Sequence, residues 1–143
     1  MFQSFFPQPK LFFSSLALWS AVLIIVWYSF GKTIGGALGF DLAETETVIG
    51  LGHFITSEFL WFDTFFAFGA LAFFFVWRSR SPHEWQVWSV LGSALLIYLS
   101  YASVQVSVVI NAWYGPFYND IQTALTGDGG ITAGDLYGHF LVF

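Results

Sequence analysis

An aspartate inside an otherwise apolar stretch is the first residue in this sequence whose chemistry asks for an explanation. Asp63 is the fifth residue and the only charge of the run Phe59 to Trp77, which places it roughly 6–8 Å inside the outer end of a helix rising 1.5 Å per residue. A carboxylate at a bilayer centre costs about 2.5–3.5 kcal/mol on insertion scales, and less at this depth. Two readings follow: a proton or cation site in a water-filled cavity, or an interfacial acid that reaches water. Gln105 lies at a matching depth in a third apolar run, Val87 to Ile110. An interhelical hydrogen bond between Gln105 and Asp63, worth about 0.6 kcal/mol on average in membrane proteins, is the simpler account of that residue.

The third run also carries Ser89, Ser93, Ser100, Ser103, Ser107 and Asn111 at spacings of three, four and seven, within a helical sector of roughly 80°, with Gln105 nearly opposite. A stripe of small hydroxyl residues suits close helix packing or the lining of an aqueous pathway, and either places the helix inside a bundle. Beyond it, Pro116 follows Gly115 and removes a backbone donor, so the helix is expected to bend or break near the outer interface. Asn119 or Asp120 then caps a short helix ending before Gly127. In this reading Asn111, Trp113, Tyr114, Pro116 and Tyr118 form either a gate at a substrate mouth or a rigid elbow between spans.

Soluble-enzyme and metal chemistry find no support. His53, His83 and His139 stand apart, and there is no cysteine, so neither a zinc site nor a disulfide framework is expected, nor any other cofactor. Gly31, Lys32 and Thr33 imitate the end of a phosphate-binding loop, but Val26 occupies the position of its earlier glycine. No GxSxG elbow occurs. A formal net charge of -5 argues against nucleic acid as a partner.

The elements that must position these residues are membrane spans. The 143 residues are 57% hydrophobic and 9% charged, where soluble domains run at about 45–50% and 25%, so lipid is the expected partner for that surface. Leu11 to Phe30 is twenty residues without a charge, long enough to cross a bilayer. A cleaved secretory signal would be shorter and would not be followed by two more apolar runs. The expected architecture is all-α, a polytopic transmembrane helical bundle with spans at about 11–30, 59–77 and 87–110. A fourth span begins near Tyr137, and the chain reads as the N-terminal part of one longer transporter domain. Lys10, Arg78 and Arg80 place the N-terminus and the second connection in the cytoplasm. Trp27, Trp61, Trp77, Trp85, Trp88 and Trp113 fall near the span ends, as interfacial indoles do. Asp41 to Glu58 mixes apolar and acidic residues and reads as a short surface helix or a plain loop. The two outward segments hold seven acids against one lysine, enough to steer cationic solutes at low salt.

Three ordered blocks, MFQSFFPQPKLFF (1–13), SPHEWQVWSVLGSALLIYL (81–99) and NAWYGPFYNDIQTAL (111–125), resemble the N-terminal part of the SbmA/BacA family of bacterial inner-membrane peptide transporters. The similarity is weak over 31–57. It implies a homodimer with an ABC-exporter-like membrane architecture but no attached ATPase. It also implies proton-driven import of antimicrobial peptides, proline-rich and microcin-type among them. Family proton coupling is attributed to glutamates. Glu58 matches an acidic position of the relatives, Gln105 stands at or near one of their glutamates, and Glu84 replaces a basic residue. On this resemblance Glu58 joins Asp63 as a proton-coupling candidate, and Gln105 joins the pathway residues. Two other functions fit the residues: the membrane half of an ATP-driven transporter, and a non-transporting membrane anchor.

Overall fold

A computed structural model describes residues 8–43, 48–127 and 130–142. The start of the first resemblance block, Glu44, Glu46 and Asp128 lie outside them. The described residues are helical, without strands. Helix α1 spans Pro9–Ala37, α2 spans Ser57–Arg80, and α3 runs over Ser93–Thr126 after a wide π-helical turn at Val87–Gly92. A 3-10 turn, Leu51–Ile55, precedes α2. A short α4, Ala133–Gly138, leads into a further 3-10 turn, His139–Val142.

Three helical stretches are long and apolar enough to cross a membrane: Pro9–Ala37, Ser57–Arg80 and Val87–Thr126. The first is seven residues longer at its C-terminal end than the uncharged run from which it was read, because Gly31 to Ala37 continue the helix. It stops in a Schellman motif, with Phe40 N–H donating to the Gly35 carbonyl at 3.0 Å and Gly39 N–H to Gly36 at 3.1 Å. Gly39 supplies the positive φ, 92°, that this ending requires. Pro9 opens the helix at a position where its missing N–H has no partner to lose.

Helix α2 is bounded by its own charges. Glu58 lies in the first turn and Arg78 and Arg80 in the last, each opposite in sign to the helix-dipole end it occupies. Thr56 caps the start, accepting from Phe59 N–H at 3.4 Å while its hydroxyl donates to the His53 carbonyl at 2.8 Å.

Helices α1 and α2 pack antiparallel along residues small enough to allow it. Trp19 donates its indole N–H to the Gly69 carbonyl at 3.0 Å, and a Cβ on Gly69 would lie 2.7 Å from Leu23 Cδ1. Near the C-terminal end of α1, Gly35 faces Trp61, whose Nε1 would be 2.9 Å from a Cβ there. At the other end Phe12, Phe73, Phe74, Trp77 and Val90 form the buried cluster. Trp77 donates to Ser15 Oγ at 3.0 Å. Lys10, Arg78 and Arg80 therefore lie at one end of the pair, and Trp61 and Trp77 lie within about a turn of the two ends of α2. Both indoles are buried between helices, whereas Trp85 and Trp88 are exposed.

The break expected at Pro116 is absent. Helix α3 passes through it and ends at Gly127, whose φ is 69°. One missing N–H is tolerated where ring pairs one turn apart brace the segment: Trp113 stacks on Phe117 at 4.6 Å and Tyr114 lies 5.7 Å from Tyr118. Asp120 is accordingly inside the helix and caps nothing. The 40 residues Val87–Thr126 extend about 60 Å, twice the hydrocarbon thickness of a bilayer. Leu18, Ile24, Ile25, Leu96, Ile97 and other large apolar side chains remain exposed, far more than soluble monomers show. The chain is a multi-pass membrane protein.

Candidate functional site

The polar groups of the apolar region meet along the seam between α2 and α3. On α2, Phe59 and Asp63 are four residues apart; on α3, Tyr98, Tyr101 and Gln105 are spaced three and four, so each set shares one helical face. The helices run antiparallel, and moving toward higher numbers along α2 means moving toward lower numbers along α3. Asp63 is therefore opposite Tyr98, whose hydroxyl donates to Oδ2 at 3.2 Å.

Gln105 lies seven residues, or about 10 Å, along α3 from Tyr98 toward the start of α2, and pairs instead with the 3-10 turn. Its Oε1 accepts from His53 Nε2 at 3.1 Å. The expected Asp63–Gln105 bond is thus replaced by two separate bonds. Asp63 is the seventh residue of α2, about 9 Å along the helix from Ser57.

Aromatic rings fill the space between the two pairs. Phe62 lies 4.2 Å from Tyr101, Phe66 5.9 Å from Tyr98, and Phe59 stacks on Tyr101 at 6.1 Å while its ring centroid is 5.8 Å from His53. Asp63 Oδ1 is buried there without a hydrogen bond. An acceptor withdrawn from water and left unpaired is destabilising, so the seam holds a carboxylate whose second oxygen is available to a proton, a water or a cation.

The remaining sequence candidates scatter. Glu58 is exposed in the first turn of α2, five residues and about 140° around the helix from Asp63. Asn111 is exposed on α3, in line with the serine stripe. That stripe packs on neither α1 nor α2: Ser93, Ser100, Ser103 and Ser107 are exposed. Ser100 and Ser107 return their hydroxyls to the Leu96 and Ser103 carbonyls at 3.0 and 3.1 Å. The opposite face, carrying Gln105, makes the helix contact. Trp113 donates to the His139 carbonyl at 2.7 Å, while Tyr114, Pro116 and Tyr118 are exposed. Among the described residues no group of three or more metal-ligating side chains forms.

Tyr98 and His53 are the residues that sequence reasoning missed. Tyr98 carried a signal, since its spacing from Tyr101 and Gln105 sets all three on one face. His53 carried none, because its contact with Gln105 spans 52 residues of sequence. The same holds for His139, whose Nε2 lies 2.8 Å from Asp120 Oδ2.

A model of the SbmA/BacA-like family matches residues 82–143. The match bears out the resemblance over the turn at Pro82, the whole of α3 and α4. It includes Tyr98, Tyr101 and Gln105 and stops short of His53, Glu58 and Asp63.

Proposed function

We propose that this protein is a membrane peptide transporter of the SbmA/BacA type, importing peptides across the bacterial inner membrane at the expense of the proton gradient. The observation that carries the reading is the family match over residues 82–143 on a chain with three membrane-crossing helices. In this reading the α2–α3 seam handles the proton: Asp63 is the exchanging group, Tyr98 orients it, and His53 with Gln105 forms the outer approach. Lys10, Arg78 and Arg80 gather at one end of the α1–α2 pair, in keeping with a cytoplasmic N-terminus. The exposed apolar faces of α1 and α3 are left for further helices and for a second copy in a homodimer.

The test is uptake of a fluorescent, cationic, proline-rich peptide by cells that lack other importers and express the full-length protein. Uptake that needs the protein and collapses with a protonophore at constant ATP supports the proposal. Uptake that survives the protonophore and stops on ATP depletion points to an ATP-driven transporter. No uptake from protein correctly inserted in the membrane points to an anchor.

A further inference from the structure

Beyond the seam, the outer end of α3 is joined to the segment that follows it by one histidine. His139 Nε2 lies 2.8 Å from Asp120 Oδ2, with side-chain exposures of 19% and 35%. Its carbonyl accepts the Trp113 indole N–H at 2.7 Å, and its ring meets Phe117 edge-on at 5.8 Å. The next residue, Phe140, packs at 5.4 Å from Phe117 and 5.8 Å from Trp113. Phe140 also lines an apolar cavity of about 360 Å³ with Leu51, Phe54, Val109 and Trp113.

We infer that His139 and Asp120 form a clasp, tightened by protonation of the imidazole, that seats the 133–142 segment and Phe140 against the outer end of α3. A neutral imidazole with its proton on Nε2 already donates to Asp120. A second proton, on Nδ1, adds a positive charge and makes the bond charge-assisted, roughly twice as strong. Histidine is the side chain whose charge ordinarily changes between about pH 5 and 8.

Among the described residues, the charged groups facing His139 are Asp120 from α3 and Asp135 from α4; Trp113, Phe117 and Phe140 carry no charge. Asp135 is held below the usual carboxylate range, chiefly by the backbone N–H of Thr132 and then by its hydroxyl, so it stays ionised throughout that interval. The imidazole proton is therefore the one that changes the clasp, and the seated state gains as pH falls. This concerns the fold of the outer elbow and is independent of the transport reading.

Hydrogen–deuterium exchange on the full-length protein in lipid nanodiscs tests it, with rates corrected for intrinsic exchange. Peptides covering 133–142 should be about two- to fivefold better protected at pH 5.5 than at pH 8, the range of a partly exposed ion pair. Peptides from the middle of α3 serve as the control and should not change. His139→Gln keeps a donor for Asp120 and should fold, with protection independent of pH; Asp120→Asn should behave alike. Equal protection at both pH values in the wild type, or a pH effect that survives in His139→Gln, would overturn the clasp.

Discussion

Asp63 and Tyr98 can be separated into a structural and a functional part by removing one hydroxyl and one charge. The bond between them is 3.2 Å long, well beyond the roughly 2.5–2.7 Å of a strong O–H···O⁻ bond. Its worth is therefore taken from interhelical bonds in membranes, about 0.6 kcal/mol on average and 1.7 at most. Tyr98→Phe keeps the ring against Phe66 and deletes only the donor. Asp63→Asn keeps the shape and an acceptor while removing the exchangeable proton. Each variant should destabilise the protein by roughly 0.5–1.5 kcal/mol, with a coupling near 0.6 kcal/mol in the double-mutant cycle. A loss of that size lowers membrane abundance a few-fold at most. If Asp63 exchanges the proton, uptake per molecule falls far below what abundance explains in Asp63→Asn, and falls much less in Tyr98→Phe. The assays are unfolding in mixed micelles and peptide uptake by proteoliposomes after a pH jump. Wild-type uptake per molecule in Asp63→Asn, with the coupling energy present, would reduce Asp63 to a packing acid and defeat the assignment.

Gly35 and Gly36, at the C-terminal end of α1, should respond oppositely. Gly35→Ala places a Cβ 2.9 Å from the rigid Trp61 indole, and overpacking of that kind costs about 1–3 kcal/mol. Gly36→Ala meets nothing within 4 Å and should gain about 0.5–1 kcal/mol from the stiffer chain; equal effects in thermal unfolding would contradict the packing described. Pro116→Ala restores a backbone N–H inside a continuous helix and should raise the unfolding temperature, by up to the roughly 3 kcal/mol an interior proline costs. Unchanged transport kinetics in that variant would leave the elbow and remove the gate. Asp135 is depressed in the folded state, so the stability it lends α4 is complete above the ordinary carboxylate range and is lost as pH falls through its lowered value. Amide protection of residues 133–138 should fall in the wild type only once the pH drops below the ordinary carboxylate range, well under the interval in which the histidine clasp acts, while Asp135→Asn should show lower protection that such acid leaves unchanged.

The three helices were legible because a bilayer demands long uncharged runs, and these survive any packing. Their ends were less so. Gly31 to Ala37 lie beyond the uncharged run that marks the span, yet they continue the helix and Gly31 and Gly35 are buried, one of them where α1 must approach Trp61. At Pro116 a strong local rule predicted a break, but the neighbouring aromatic pairs stabilise the helix that the proline weakens. The seam was half legible. Periodicity put Tyr98, Tyr101 and Gln105 on one face and the serines on the other, but it could not say which face meets α2. That depends on the antiparallel register, set by contacts such as Trp19 on Gly69 that no local pattern announces.

That register also ties the two polar pairs to one another. Phe59 touches both His53 and Tyr101, so a tilt of α2 large enough to free Asp63 from Tyr98 must also move the ring that backs the His53–Gln105 bond. The 3-10 turn carrying His53 is joined to the start of α2 through Thr56, whose hydroxyl is bonded to the His53 carbonyl, and it follows the helix as a unit. Opening the inner pair without disturbing the outer one would require Phe59 to change rotamer inside a buried position, where close packing leaves few alternatives. The two pairs are thus linked through Phe59 and Thr56, and if Asp63 is the proton-exchanging group that we propose, movement there should be accompanied by movement at the His53–Gln105 pair.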